Sequence, residues 1–134
     1  MKFSWPIRVY YEDTDSGGVV YYANYLKFFE RARTELLRQF DLQQNELIKQ
    51  QNIIFAVRNI NVDYYKPAVF DDLLSVTTEI EVLKKASLVF KQTIQRDKDE
   101  TMLCQAICKV ACLQADQLKP AAIPEFMVQL LKNN

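Results

Sequence analysis

Asn24-Tyr25-Leu26-Lys27-Phe28-Phe29-Glu30-Arg31-Ala32-Arg33-Thr34-Glu35-Leu36-Leu37-Arg38-Gln39-Phe40 is the stretch that decides the fold. Read as a helix from 24 to 40, its apolar residues are Tyr25, Leu26, Phe28, Phe29, Ala32, Leu36, Leu37 and Phe40. At about 100° per residue they cover an arc of roughly 180°, wider than an ordinary surface helix needs. Something must wrap such a helix. Asn24, with its short side-chain acceptor, is the expected cap at its start.

The wrapping comes from downstream. Ile53 to Tyr65 alternates through Ile60, Val62 and Tyr64 before Pro67 stops it. Leu74, Val76, Thr78, Ile80 and Val82 alternate next, and the turn Lys84-Lys85-Ala86-Ser87 leads into Leu88, Phe90 and Ile94. A second charged turn, Asp97 to Glu100, precedes a strand from Met102 to Leu113. Turns this short join antiparallel hairpins. A terminal helix over Phe126 to Leu131 is expected to start with Pro124 at its first position. Upstream, Phe3 to Tyr11 reads as a strand that Pro6 places at a sheet edge. Strand, long helix and four antiparallel strands make an α+β domain, and residues 1–134 contain no linker or repeat.

Between the first strand and the helix lies Glu12-Asp13-Thr14-Asp15-Ser16-Gly17-Gly18, which holds both glycines of the chain. Glycine permits positive φ and close backbone approach, and a carboxylate serves as base or nucleophile. Any chemistry is therefore expected here. A calcium loop fits poorly, because position twelve is Asn24 where a bidentate Glu is needed. A phosphotransfer Asp-x-Asp motif needs alternating parallel strands and helices, which the hairpins contradict. An acidic turn that merely favours the helix dipole stays open as the plain alternative.

Composition narrows the chemistry further. There is no histidine, which excludes imidazole triads, histidine-ligated zinc and an imidazole pH switch. Seventeen basic and seventeen acidic residues balance, so nucleic acid and anionic membranes are not expected partners. Met1-Lys2-Phe3-Ser4-Trp5-Pro6 lacks the apolar core of a signal peptide, and no run is long enough to span a bilayer. The cytoplasm is the expected compartment. Cys104, Cys108 and Cys112 recur every fourth residue along one strand. At about 3.3 Å per residue they share a face yet stand too far apart to pair. Without C-x-x-C spacing they read as small core residues, and neither metal nor cofactor is expected.

The stretch Arg8-Val9-Tyr10-Tyr11-Glu12-Asp13-Thr14-Asp15-Ser16-Gly17-Gly18-Val19-Val20-Tyr21-Tyr22-Ala23-Asn24-Tyr25 closely resembles the active-site signature of the hotdog-fold acyl-CoA thioesterases. Within that group it is similar to the bacterial branch associated with the Tol–Pal envelope system, related to 4-hydroxybenzoyl-CoA thioesterase. The resemblance continues through Glu30 to Glu35, Asp63 to Ala68 and Phe70 to Leu73, and ends at Lys119-Pro120 and Ile123-Pro124. It implies a hotdog fold: a long central helix wrapped by a curled antiparallel five-stranded sheet.

The resemblance also implies roles. Asp15 matches the catalytic aspartate, and Tyr11 matches a tyrosine placed beside it. Tyr22 stands where this branch usually has histidine. In the aromatic variant its backbone N–H, with the loop of Gly17, Gly18 and Val19, is implied to receive the thioester oxygen. Lys84, Lys85 and Ser87 are candidates for coenzyme A phosphates, against the plain reading of a charged hairpin turn. Glu30, at the edge of the apolar arc, suits a structural ion pair, while Arg33 inside it either snorkels or crosses a subunit interface. The implied assembly is a homodimer or homotetramer. The implied activity is hydrolysis of acyl-CoA. The rival is a weakly catalytic or non-catalytic acyl-binding partner of acyl carrier protein or phospholipid-synthesis enzymes.

Overall fold

Helix α1, Asn24–Gln39, buries Tyr25, Phe28, Phe29, Ala32, Arg33, Leu36 and Leu37 on one side. The structure is a computed structural model that describes residues 2–133. Met1 and Asn134, the ends of the domain expected over 1–134, lie outside the described residues. Around α1 curls one sheet: β1 (Phe3–Arg8), β2 (Ile53–Tyr64), β3 (Leu73–Leu83), β4 (Ser87–Arg96) and β5 (Met102–Gln114). Its order is β1-β3-β4-β5-β2 and every neighbouring pair is antiparallel. This is the α+β hotdog architecture expected from the sequence. Register shifts at Val57/Asn59, Ile80/Val82 and Ile94/Gln95 interrupt the ladders, and bulges of this kind strengthen twist and bend a sheet.

Alternation decides which strand residues meet the helix. Along β4, Leu88, Phe90, Gln92 and Ile94 are buried at every second position, the period of a pleated strand. On β5, Cys104, Cys108 and Cys112 are all buried and free, as small core residues. Burial pushes all three thiols up, Cys104 to about 12. Helix α3, Glu125–Lys132, closes the far end of the core with Met127 and Leu131. Pro6 sits in the edge strand β1, the place in a sheet where proline is tolerated.

Several expectations need correction. β1 stops at Arg8, and Tyr11–Asp13 forms a 3-10 turn in place of the strand's expected end. Asn24 does not cap α1: Ala23 holds that position without a side-chain cap bond. Pro124 precedes α3 as its cap residue and is not its first helical residue. Helix α2, Gln44–Gln51, was not expected, and Leu47 is its only buried residue. Arg33 turns inward instead of snorkelling, and its Nη1 donates to Gln92 Oε1 at 2.9 Å. Glu30 makes no ion pair among the described residues; it accepts the Thr34 hydroxyl at 3.0 Å.

Candidate active site

The acidic loop closes into a tight turn. Asp15 N–H donates to Val19 O at 2.9 Å and Gly18 N–H donates to Asp15 O at 3.0 Å. Gly18 carries the turn at φ +79°, where a side chain would be strained. Asp15 folds its own carboxylate over the turn, and Oδ1 accepts the Gly17 N–H at 2.8 Å. A Cβ on Gly17 would stand 3.2 Å from that oxygen. The two glycines therefore serve different needs: one supplies the left-handed turn, the other makes room for the carboxylate.

The two aspartates of the loop have opposite surroundings. Asp13 is buried, and its Oδ2 accepts the Tyr10 N–H at 2.8 Å. Its carbonyl accepts Tyr21 N–H at 2.9 Å and Asn24 Nδ2 at 2.8 Å. The Asn24 side chain thus turns toward the loop, tying it to α1. Asp15 is exposed, and Gly17 N–H is the donor its carboxylate meets. Asp13 is a brace. Asp15 is free to meet a ligand.

Aromatic residues flank the acidic loop on both sides in sequence. Tyr11 is 76% exposed and stacks on Phe70, with ring centroids 3.9 Å apart. No hydrogen bond joins its phenol to Asp15 among the described residues. Tyr22 packs on Tyr21 at 4.9 Å and meets Tyr64 edge-on at 6.3 Å. The Tyr22 phenol and, more weakly, the Asp15 carboxylate push Tyr21 above its ordinary value, so Asp15 lies within Coulombic reach of the 21–22 segment. The Tyr22 amide, just before the helix start, finds no acceptor among the described residues. Tyr22 lies one residue before the cap Ala23, near the positive end of the helix dipole. Beside it lies an apolar groove of about 240 Å³ lined by Val20, Tyr22, Tyr25, Tyr64, Tyr65, Lys66 and Pro67.

The segment 66–72 anchors this aromatic region. Val20 N–H donates to Ala68 O, and Ala68 N–H donates to the buried Tyr25 phenol oxygen, each at 2.9 Å. Arg96 anchors the same segment through Asp72 Oδ2 and Pro67 O, both at 3.2 Å. Tyr25, Tyr64, Phe70 and Asp72 were not singled out from the sequence. Three of them lie in the stretches Asp63 to Ala68 and Phe70 to Leu73, whose density of aromatic and acidic residues was the available signal.

Lys84, Lys85 and Ser87 lie elsewhere. They form the β3–β4 turn, where Lys84 N–H donates to Ser87 O at 2.9 Å. Lys84 and Lys85 border a groove of about 550 Å³ against Pro124, Glu125 and Lys132. The Asp15 loop adjoins the other end of β3, where Arg8 pairs with Leu73. Ten residue steps separate Leu73 from Leu83, about 33 Å of extended strand. Within one chain the two lysines and Asp15 are not brought together.

Comparison with known proteins bears out the fold. A family model described as the thioesterase-like superfamily matches residues 9–131. The chain is 49% identical over 123 residues to the acyl-CoA thioesterase YbgC of Haemophilus influenzae, across 92% of this chain and 89% of that one. It is 46% identical over 130 residues to the acyl-CoA thioester hydrolase YbgC of Escherichia coli O6:H1, covering 97% and 96%. Among solved structures, a probable thioesterase from Bartonella henselae superposes with a TM-score of 0.87 at 34% identity, covering 92% and 100%. A 4-hydroxybenzoyl-CoA thioesterase bound to 4-hydroxybenzoyl-CoA shares the fold, with a TM-score of 0.90 at 18% identity over 97% and 98% of the two chains. The chain belongs to the thioesterase-like superfamily and, within it, to the YbgC acyl-CoA thioesterases.

Proposed function

We propose that this protein hydrolyses acyl-CoA thioesters to a free carboxylic acid and coenzyme A, with Asp15 as the reacting carboxylate. The observation that carries the reading is an exposed Asp15 within Coulombic reach of the 21–22 segment, whose Tyr22 amide is unpartnered among the described residues. Negative charge develops on the thioester oxygen as the carbonyl is attacked. The Tyr22 N–H and the helix dipole receive that charge, and one such preorganised donor is worth about 10²–10³ in rate. Asp15 either takes a proton from the attacking water or attacks the carbonyl itself. In the second case a mixed anhydride forms, thiolate leaves, and water then cleaves the anhydride. Both routes end in the same products.

The groove lined by Tyr22, Tyr25, Tyr64 and Tyr65 is apolar and suits the acyl group. Lys84, Lys85 and Ser87 take the coenzyme A phosphates only if a second chain brings its β3–β4 turn to this site, so the reading includes a homo-oligomer. It also takes the cytoplasm as the compartment, in line with three free buried thiols. A functional link to the Tol–Pal system belongs to the same reading.

The chain's lack of histidine, with Tyr22 exposed at the position of the usual imidazole, favours one second reading: an acyl-binding partner with little turnover. A panel of acyl-CoA substrates of graded chain length, assayed by thiol release, separates the two. Release that is abolished in Asp15→Asn supports the enzyme. Saturable binding without release supports the alternative.

A further inference from the structure

We infer that Tyr64 is a positioning residue, whose phenol holds the Tyr22 peptide at the mouth of the groove. The inference rests on the proposed hydrolysis and adds to it a side chain that no catalytic role has covered. Tyr64 Oη donates to Tyr22 O at 3.0 Å. Its ring meets Tyr22 edge-on at 6.3 Å and Tyr25 at 5.5 Å. The phenol is therefore fixed by two neighbouring rings as well as by its hydrogen bond.

The position of this bond in the fold gives it its meaning. Residues 21–24 form the passage from loop to helix, and their other restraints come from the acidic loop and from the passage itself. Asp13 O receives Tyr21 N–H and the Asn24 amide, and Tyr21 O receives Asn24 N–H at 2.8 Å. Tyr21 O shares its peptide unit with the Tyr22 N–H, so Asn24 fixes that unit, while none of these bonds reaches the next one, Tyr22–Ala23. The Tyr22 N–H is open, and its carbonyl is held by Tyr64 alone among the described residues. Tyr64 ends β2 and pairs with Cys104 of β5. The sheet thus holds the carbonyl side of Tyr22, the residue whose N–H is the proposed donor.

Two further points separate this role from that of a wall or an acid. Tyr64 is 46% exposed, so losing its hydroxyl leaves Tyr22 O to water and opens no buried hole. Burial and neighbouring acidic groups raise its pKa, so the phenol stays a donor through neutral pH and above.

The test is Tyr64→Phe, which keeps the ring and removes the donor. In steady-state hydrolysis of an acyl-CoA that the wild type turns over, kcat should fall about tenfold while KM stays within about twofold. Misorientation should cost less than the 10²–10³-fold of a missing donor. Backbone amide exchange gives a reading independent of turnover, and Asn24 should lose protection in the variant. Tyr64→Leu, which also removes the groove wall, should raise KM in addition. Unchanged kcat with unchanged Asn24 protection in a folded Tyr64→Phe would overturn the inference and leave the hydrolase reading standing. An effect on KM alone would reduce Tyr64 to a wall and equally overturn it. A wild type that releases no thiol from any acyl-CoA would overturn the hydrolase reading itself and the positioning role with it.

Discussion

Midway along α1 the polar groups are closed off, whereas at the helix start they are left open. Arg33 Nη1 donates to Gln92 Oε1, and Gln92 Nε2 donates to Phe29 O at 3.0 Å and to Thr78 Oγ1 at 2.9 Å. Gln92 and Thr78 are fully buried. Just before the helix, Tyr22 N–H has no acceptor among the described residues, and Asp15 stands in solvent. Buried polar groups are costly unless paired, so the interior network must be satisfied. Catalytic donors must instead stay unsatisfied until the transition state supplies charge. One helix meets both demands because its end is exposed and its middle is not.

Removing the Asp15 carboxylate should give the largest effect. Asp15→Asn keeps the size and the acceptor for Gly17 N–H, yet it can neither take a proton nor attack. Its kcat should drop about 10²–10⁴-fold, measured with saturating acyl-CoA, while circular dichroism and Tm stay near wild type. A variant with most of its activity would remove Asp15 from the chemistry and erase the contrast between the two regions.

The opposite pattern is expected in the interior. Gln92→Leu leaves a buried guanidinium and the Thr78 hydroxyl without their partner. Breaking such a network should cost about 3 kcal/mol, read from urea unfolding, with kcat per folded molecule within about twofold. Lost turnover at unchanged stability would show that the network serves the site directly.

A smaller loss is expected from the sulfur side of the core. Cys104→Ser places a hydroxyl where no acceptor waits, at about 1–3 kcal/mol, again with little change in kcat. The same burial gives a pH dependence. The folded Cys104 thiol is pushed up to about 12, while an unfolded thiol ionises near 8.5. The folded state thus keeps a proton that the unfolded chain releases. Stability should be intact below about pH 8.5 and fall as pH rises toward 12. At pH 8 the native thiols should resist a thiol reagent that modifies them readily in urea; rapid native modification would contradict the burial.

Much of this contrast was legible in the sequence, and the gaps have physical causes. The strands could be read because one face is buried, as in Leu88, Phe90 and Ile94. The width of the apolar arc on α1 announced the wrapping sheet. The glycine pair marked the turn correctly, since its signal is local. Helix α2 was hidden because Leu47 alone is buried among polar residues. Asn24 was misread because a residue suited to capping can also bind a carbonyl eleven residues back. Local propensity cannot see that competition. Tyr64 touching Tyr22 and Phe70 stacking on Tyr11 depend on chain approach over 42 and 59 positions, which no periodicity encodes.

The smallest effect, and the sharpest probe of the open region, comes from Tyr22→His. The Tyr22 side chain is 61% exposed and packs on Tyr21 and Tyr64, while the proposed contribution is its backbone N–H. Any residue other than proline keeps that N–H. An imidazole should therefore change kcat/KM by less than about tenfold, far below the effect of Asp15→Asn. The pH profile should gain no limb. If the side chain matters instead, histidine should raise the rate about 10²-fold or more and add a limb near pH 6.5, about where an imidazole titrates. That outcome would mean that the natural tyrosine restrains turnover. The acyl-binding reading would then gain over the hydrolase, and the open amide would no longer suffice as the source of catalysis at the helix start.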